Sequence, residues 1–225
     1  ATGRDSMVAN SVKVTVQTAP KSVALNITNK TIDLSSNERI FQLVGTISPS
    51  TANVYTHLKY TSSDKTVADV DENTGRVTAL KNGTATITVS TENNKTATCN
   101  VTVVTSPTGV TLDKSKVTVD LSGTKTVELT AKIQPDTANI YTELSWISEA
   151  PEIAQVENLN GSTVKVTGIS NGSAKIKVRT ENGKEATCVI VVETSITGIE
   201  IIPKTAKINM LEDPKLQLNK KLTPE

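Results

Sequence analysis

The segment TANVYT (Thr51–Thr56) returns as TANIYT (Thr137–Thr142), and KNGTATITVSTEN (Lys81–Asn93) returns as SNGSAKIKVRTEN (Ser170–Asn182). The first pair is offset by 86 residues and the second by 89, so three residues are inserted between the two blocks. A tandem repeat constrains a chain more than any local signal, because each copy must bury a core of its own. The flanks extend the pattern. SITGIEIIPKTAKINM from Ser195 follows SPTGVTLDKSKVTVDL from Ser106, and ANSVKVTV from Ala9 resembles ATCNVTVV from Ala97. Four pieces are expected: residues 1–19 as the closing strand of a preceding module, 20–105 and 106–194 as whole modules, and 195–225 as the first strands of another. The chain then reads as a window on a longer array.

Within each copy the dominant period is two. Thr84-Ala85-Thr86-Ile87-Thr88-Val89 alternates with Thr, and Ser173-Ala174-Lys175-Ile176-Lys177-Val178 alternates with charge, as half-buried strands do. The same rule predicts inward residues Phe41, Leu43, Ile47, Tyr60, Val70, Ala85, Ile87, Val101 and Val103 in the first copy. In the second it predicts Val127, Leu129, Ile133, Trp146, Val156, Ala174, Ile176, Val189 and Val191. Turn signals such as Asp71-Glu72-Asn73-Thr74-Gly75, Asn82-Gly83 and Asn171-Gly172 separate these runs. No amphipathic helix of useful length is present. Some seven short strands per copy describe an all-β fold of tandem antiparallel immunoglobulin-like sandwiches. Aromatic residues make up only 2% of the chain, so the cores must rest on Val, Ile, Leu and Ala.

Several function classes fall away. With 24 basic and 23 acidic residues, net charge is +1, which argues against a nucleic-acid partner. No apolar run nears the roughly 18 residues needed to span a bilayer. His57 has no counterpart in the second copy, where Glu143 stands, so nucleophilic catalysis lacks a base and no enzyme is expected. Cys99 and Cys188 occupy equivalent strand positions, one per module, which precludes a disulfide within either module and suits small buried residues. Asp69-Val70-Asp71-Glu72-Asn73-Thr74-Gly75 hints at calcium, but a calcium loop needs Gly at its sixth position and Glu at its twelfth, where Thr74 and Leu80 stand. A hairpin turn explains those residues, and neither a metal nor a cofactor is expected. Seven Asn-x-Ser/Thr triplets are most simply the product of a chain rich in Asn and Thr.

The opening SPTGVTLDKSKVTV, the prolines of ISPSTAN and IQPDTAN, the stretches YTSSDKTVADVDENTGRVTAL and WISEAPEIAQVENLNGSTVKVTGI, and the strands GTATITV and GSAKIKV occur in order. In this each module resembles the bacterial group 2 immunoglobulin-like domains strung along surface proteins of intimin- and invasin-like architecture. The sequence departs from that pattern at Tyr60, where the family more often has the Trp seen at Trp146. The resemblance implies a non-catalytic module of a protein at the bacterial cell surface. Its partner would be a host protein (an immunoglobulin or matrix protein) or a glycan. A pure stalk and a phage-particle module are the alternatives, and fold alone does not choose. The repeated Asn-[Val/Ile]-Tyr-Thr supplies the candidate surface site: Asn53 and Tyr55 in the first copy, Asn139 and Tyr141 in the second. Against this stands the plain reading that Tyr caps its own sandwich or packs on the neighbouring module. The cut ends, with Ile199, Ile201, Ile208, Leu216 and Leu218 on one side and Val8 to Val16 on the other, are expected to exchange strands between molecules or to stay disordered.

Overall fold

The computed structural model describes residues 12–202, 204–205 and 217–223. The chain separates into two compact units between Val104 and Thr105. The first contains β1 (Ser22–Leu25), β2 (Asn29–Asp33), β3 (Ile40–Gln42), β4 (Gly45–Ser48), β5 (Leu58–Ser62), β6 (Ala68–Val70), β7 (Arg76–Ala79), β8 (Gly83–Thr91) and β9 (Thr96–Val104). One face is the sheet β2-β9-β8-β5; the other is β3-β7-β6 with the pair β1-β4 beside it. Asn26 accounts for the break between β3 and β4. Its Oδ1 accepts from the Val44 N–H at 2.8 Å, and its own N–H donates to the Val44 carbonyl at 3.1 Å. The side chain thus takes the place of a strand neighbour at Val44.

The second unit contains β10 (Gly109–Leu112), β11 (Lys116–Asp120), β12 (Thr126–Gln134), β13 (Leu144–Ser148), β14 (Ala154–Asn158), β15 (Thr163–Gly168), β16 (Gly172–Thr180) and β17 (Glu185–Glu193). Its faces are β11-β17-β16-β13 and β10-β12-β15-β14, with β12 running unbroken where the first unit has β3 and β4. A hairpin of β18 (Gly198–Ile202) and β19 (Asn219–Thr223) follows. It pairs Gly198 with Thr223, each 89 residues beyond the Gly109–Gln134 pair that joins β10 to β12. Ile199 and Leu218 are exposed, as are Val12, Val14 and Val16, which have no regular structure. Val8, Ile208 and Leu216 lie outside the described residues.

Strand alternation places the cores where expected, with one slip. Leu43, Tyr60, Val70, Ala85, Ile87, Val101 and Val103 are buried in the first module, and Leu129, Ala174 and Ile176 in the second. Phe41, Val127, Trp146 and Val156 are half-buried and pack against those cores. Ile47 and Ile133 are also half-buried. The slip is in β17. Val189 and Val191 sit on the outer side, and Cys188, Ile190 and Val192 fill the core. Five consecutive apolar residues from Cys188 to Val192 carry no phase, and β17 takes its phase from Cys188, which is fully buried like Cys99. Both thiols are free, and burial pushes them above the ordinary thiol range.

In each module the edge strand of one sheet pairs in parallel, and the other strand pairs are antiparallel. Asn29 to Asp33 of β2 pair with Asn100 to Val104 of β9, and Lys116 to Asp120 of β11 pair with Val189 to Glu193 of β17.

Candidate functional site

The two Tyr loops have the same backbone. A turn after the proline closes with Ala52 N–H donating to the Pro49 carbonyl at 3.0 Å, and Ala138 N–H donating to Pro135 at 2.9 Å. Val54 and Ile140 are half-buried and anchor the loop. Tyr55 and Tyr141 then adopt φ of 58° and 56°, the left-handed region that costs a bulky L-residue about 1–2 kcal/mol. Both rings face solvent, with 53% and 50% of their surface exposed. Strain of this kind persists only where the surrounding structure over-determines it. Here the asparagine two residues earlier does so.

Asn53 Oδ1 accepts from the Thr18 N–H at 2.7 Å, its Nδ2 donates to the Val16 carbonyl at 2.8 Å, and its backbone N–H donates to the Thr18 carbonyl at 2.9 Å. Asn139 repeats the arrangement: Oδ1 accepts from Thr105 N–H at 2.8 Å and its N–H donates to the Thr105 carbonyl at 3.0 Å. Both amides therefore clip the chain entering their own module. A second asparagine adds to each grip. Asn93 Nδ2 donates to the Pro20 carbonyl and Asn182 Nδ2 to the Pro107 carbonyl, both at 2.8 Å, with Thr91 and Thr180 hydroxyls orienting the two amides. Sequence reasoning did not find Asn93 and Asn182. Their signal was present in the repeated Thr-Glu-Asn that ends each copied strand.

Beside Tyr141 the second module opens a cleft of about 750 Å³. It lies between the end of β12 and the hairpin joining β14 to β15, and its polar lining includes Lys132, Asp136, Glu143, Asn160 and Ser162. Lys132 and Asp136 pair at 3.1 Å and are largely exposed, so the pair contributes little. The Asp71 carboxylate, part of the calcium-like heptad, turns onto its own hairpin instead. It accepts from the Thr74 N–H and hydroxyl, both at 2.8 Å, and from the Asn73 N–H at 3.1 Å. These bonds, those from Thr74 foremost, hold its carboxyl below the usual range. Among the described residues, no three His, Cys, Asp or Glu side chains cluster as a metal site would require. His57 is exposed.

Paired sheets, the parallel edge strand and the copied loops define two immunoglobulin-like sandwiches in tandem. A family model described as "Bacterial Ig-like domain (group 2)" matches residues 40–101 and 106–191, about two thirds of the chain. The chain belongs to this family. No curated protein matches it significantly. Among solved structures, domains 1–6 of the surface layer protein SbsC match at 23% identity and a TM-score of 0.35, over 84% of this chain and 30% of that one. SbsC domains 4 and 5 match at 22% identity and a TM-score of 0.34, over 79% of this chain and all of that one. The extracellular cadherin domains 1–5 of protocadherin gamma B2 match at 8% identity and a TM-score of 0.45, over 82% and 41%. The chain thus spans under a third of the length of the first of these, and the family assignment rests on the family model alone.

Proposed function

We propose that these modules belong to a bacterial cell-surface protein and recognise a host-side protein or glycan through their repeated Tyr loops. The observation that carries this reading is the exposed Tyr55 and Tyr141, each held in a strained left-handed backbone at the same place in its own module. An exposed aromatic side chain offers contact area at low entropic cost. Two similar sites on one chain raise avidity without new contacts. Asn53 and Asn139 take part by fixing the loop, since their amides are engaged with their own backbone. Among the described residues no helix is long and apolar enough to cross a membrane. Recognition would then be a matter of surface alone, with no catalytic step.

The test is surface plasmon resonance of the full chain against immobilised immunoglobulin G, fibronectin and mucin. Binding to one of them should weaken in Tyr55→Ala or Tyr141→Ala and nearly vanish in the double variant. No binding to any of the three, or full binding by a folded double variant, would defeat the Tyr-loop reading. A stalk that only spaces a distant domain is the second reading, favoured by the paired asparagines that grip the entering chain.

A further inference from the structure

The cleft of the second module combines what the two copies share with what they do not. Its apolar lining is common to both: Ile133 and Leu144 match Ile47 and Leu58, 86 residues earlier. Its charged lining is not. Lys132, Asp136 and Glu143 stand where the first copy has Thr46, Ser50 and His57. Its remaining wall, Asn160 to Ser162, comes from the longer β14–β15 hairpin. One copy alone thus places a set of polar groups around a shared apolar surface.

That wall is held in place before any ligand arrives, which lowers the entropic cost of binding. Gly161 N–H donates to Asn158 Oδ1 at 2.7 Å, and its carbonyl accepts from Trp146 Nε1 at 3.0 Å. The Ser162 carbonyl accepts from the Ala131 N–H at 2.8 Å and ties the hairpin to β12. Asn160 Oδ1 accepts from the Thr163 N–H at 2.8 Å and the Ser162 hydroxyl at 3.2 Å. With its oxygen committed to the turn, Asn160 presents Nδ2 and its two protons. Glu143, exposed just before β13, brings two acceptor oxygens. Ile133 and Leu144 are half-buried against Val110, Ala131 and Val178, and line the cleft as a small apolar surface.

These groups select by charge and by hydrogen bonding. Lys132 and Asp136 pair at 3.1 Å, so Glu143 remains as an excess negative charge that repels an anionic ligand. A wholly apolar ligand would desolvate the amide, the carboxylate and the Ser162 hydroxyl without replacing their bonds to water. A basic side chain would satisfy Glu143 but set the amide protons of Asn160 against a cation. A neutral sugar ring fits all of them: each hydroxyl both donates and accepts, and the ring has a face of C–H bonds. The volume, about 750 Å³, suits a small-molecule site.

We infer that this cleft binds a neutral saccharide, with Asn160 donating to it, Glu143 accepting from it, and Ile133 and Leu144 against its C–H face. The site goes beyond the Tyr-loop reading and does not rest on it, because Tyr55 has the same loop as Tyr141 without these charged residues beside it.

Isothermal titration of the full chain tests the site. Lactose, N-acetyllactosamine, maltotriose and chitotriose are the neutral probes, sialyllactose the anionic one and trilysine the cationic one. At least one neutral probe should bind, and more tightly than sialyllactose or trilysine. Asn160→Asp keeps the oxygen that holds the turn and removes both donors; Glu143→Gln keeps the shape and removes the charge. Each should weaken binding by about tenfold or more with the melting temperature unchanged. Glu143→Gln alters only an exposed side chain, so it decides the matter if Asn160→Asp disturbs the hairpin. Tyr55→Ala should bind like the parent chain. Binding of no neutral probe, a preference for sialyllactose or trilysine, or full affinity in a folded cleft variant would overturn the inference. Weaker binding in Tyr55→Ala would also overturn it, by placing the saccharide on the Tyr loops. The two readings therefore separate, one turning on Tyr55 and Tyr141 and the other on Glu143 and Asn160.

Discussion

Gly45 and Ala131 occupy the same place on equivalent strands, and each has a backbone N–H that needs an acceptor. In the first module that acceptor is a side chain: the Tyr60 hydroxyl accepts from Gly45 N–H at 2.9 Å. In the second it is main chain: the Ser162 carbonyl accepts from Ala131 N–H at 2.8 Å. The three inserted residues in the β14–β15 hairpin bring Ser162 into reach. Relieved of the acceptor's duty, the aromatic position can hold Trp146, whose Nε1–H donates outward to the Gly161 carbonyl at 3.0 Å. The hairpin tips respond in kind. A Cβ on Gly75 would lie 2.6 Å from the Leu43 carbonyl oxygen and 2.8 Å from the Tyr60 ring, whereas one on Gly161 would meet nothing within 4 Å. The short hairpin lies down on its tyrosine, and the long one stands off and leaves the cleft. A small insertion thus alters surface and aromatic identity together while the core beneath stays the same.

The largest test of this contrast is alanine at the two glycines. Both have positive φ, 73° at Gly75 and 80° at Gly161, so both substitutions carry backbone strain. Gly75→Ala adds a steric conflict with backbone and should cost about 3–5 kcal/mol; Gly161→Ala should cost about 1–2 kcal/mol. Amide exchange resolved by module measures each loss, and equal losses would break the comparison. Next comes Trp146→Ala, expected to cost about 2–4 kcal/mol, below the range for a fully buried Trp because this one is half-exposed. A loss under about 1 kcal/mol in denaturant titration would mean that the ring only covers the surface.

Tyr60→Phe removes one oxygen and strands the Gly45 N–H, for about 1–3 kcal/mol. Trp146→Phe leaves a carbonyl that water can reach, and should cost less than Tyr60→Phe once the smaller ring volume is allowed for. The reverse order would show that ring size, and not the missing acceptor, governs this position.

The fold was legible from alternation and repeat because β-branched residues on one face of a strand leave few other arrangements. Where alternation fails, so does legibility. Val189 and Val191 were expected inward because the run from Cys188 to Val192 offers no polar residue to set the phase. The offset of 89 between Cys99 and Cys188 held the correct answer. The candidate site was legible as composition and repetition but not as geometry. Asn53 reads as a surface residue, yet its amide bridges to Val16 and Thr18, over 30 residues away, and no local pattern records such a bond. Nor did the aromatic swap between Tyr60 and Trp146 announce that it compensates an insertion 15 residues further on.

Acid should affect both modules to a smaller degree. Hydrogen bonds hold the carboxyls of Asp64 and Asp71 in the first, and of Asp120 in the second, below their ordinary range. Groups depressed in the folded state contribute stability above the unfolded carboxylate value near about 4, and that stability is lost as pH falls below it. Melting temperature should therefore be level from pH 5 to 7, for these groups, and decline below about pH 4. A rise in stability on acidification would contradict the assigned bonds. Smallest of all, calcium or EDTA should leave the melting temperature of either module unchanged. A calcium-dependent rise that Asp71→Asn abolishes would replace the turn with a metal site.

Cys99 and Cys188 give the chain a property that neither hydrogen bonds nor packing would suggest. Each module encloses one sulfhydryl at zero exposure, and a module that opens surrenders it to solvent. A thiol reagent added to the native chain is then a tally of open modules: none, one or two equivalents. The stoichiometry reports how many sandwiches have come apart, and mass spectrometry of the labelled peptide reports which.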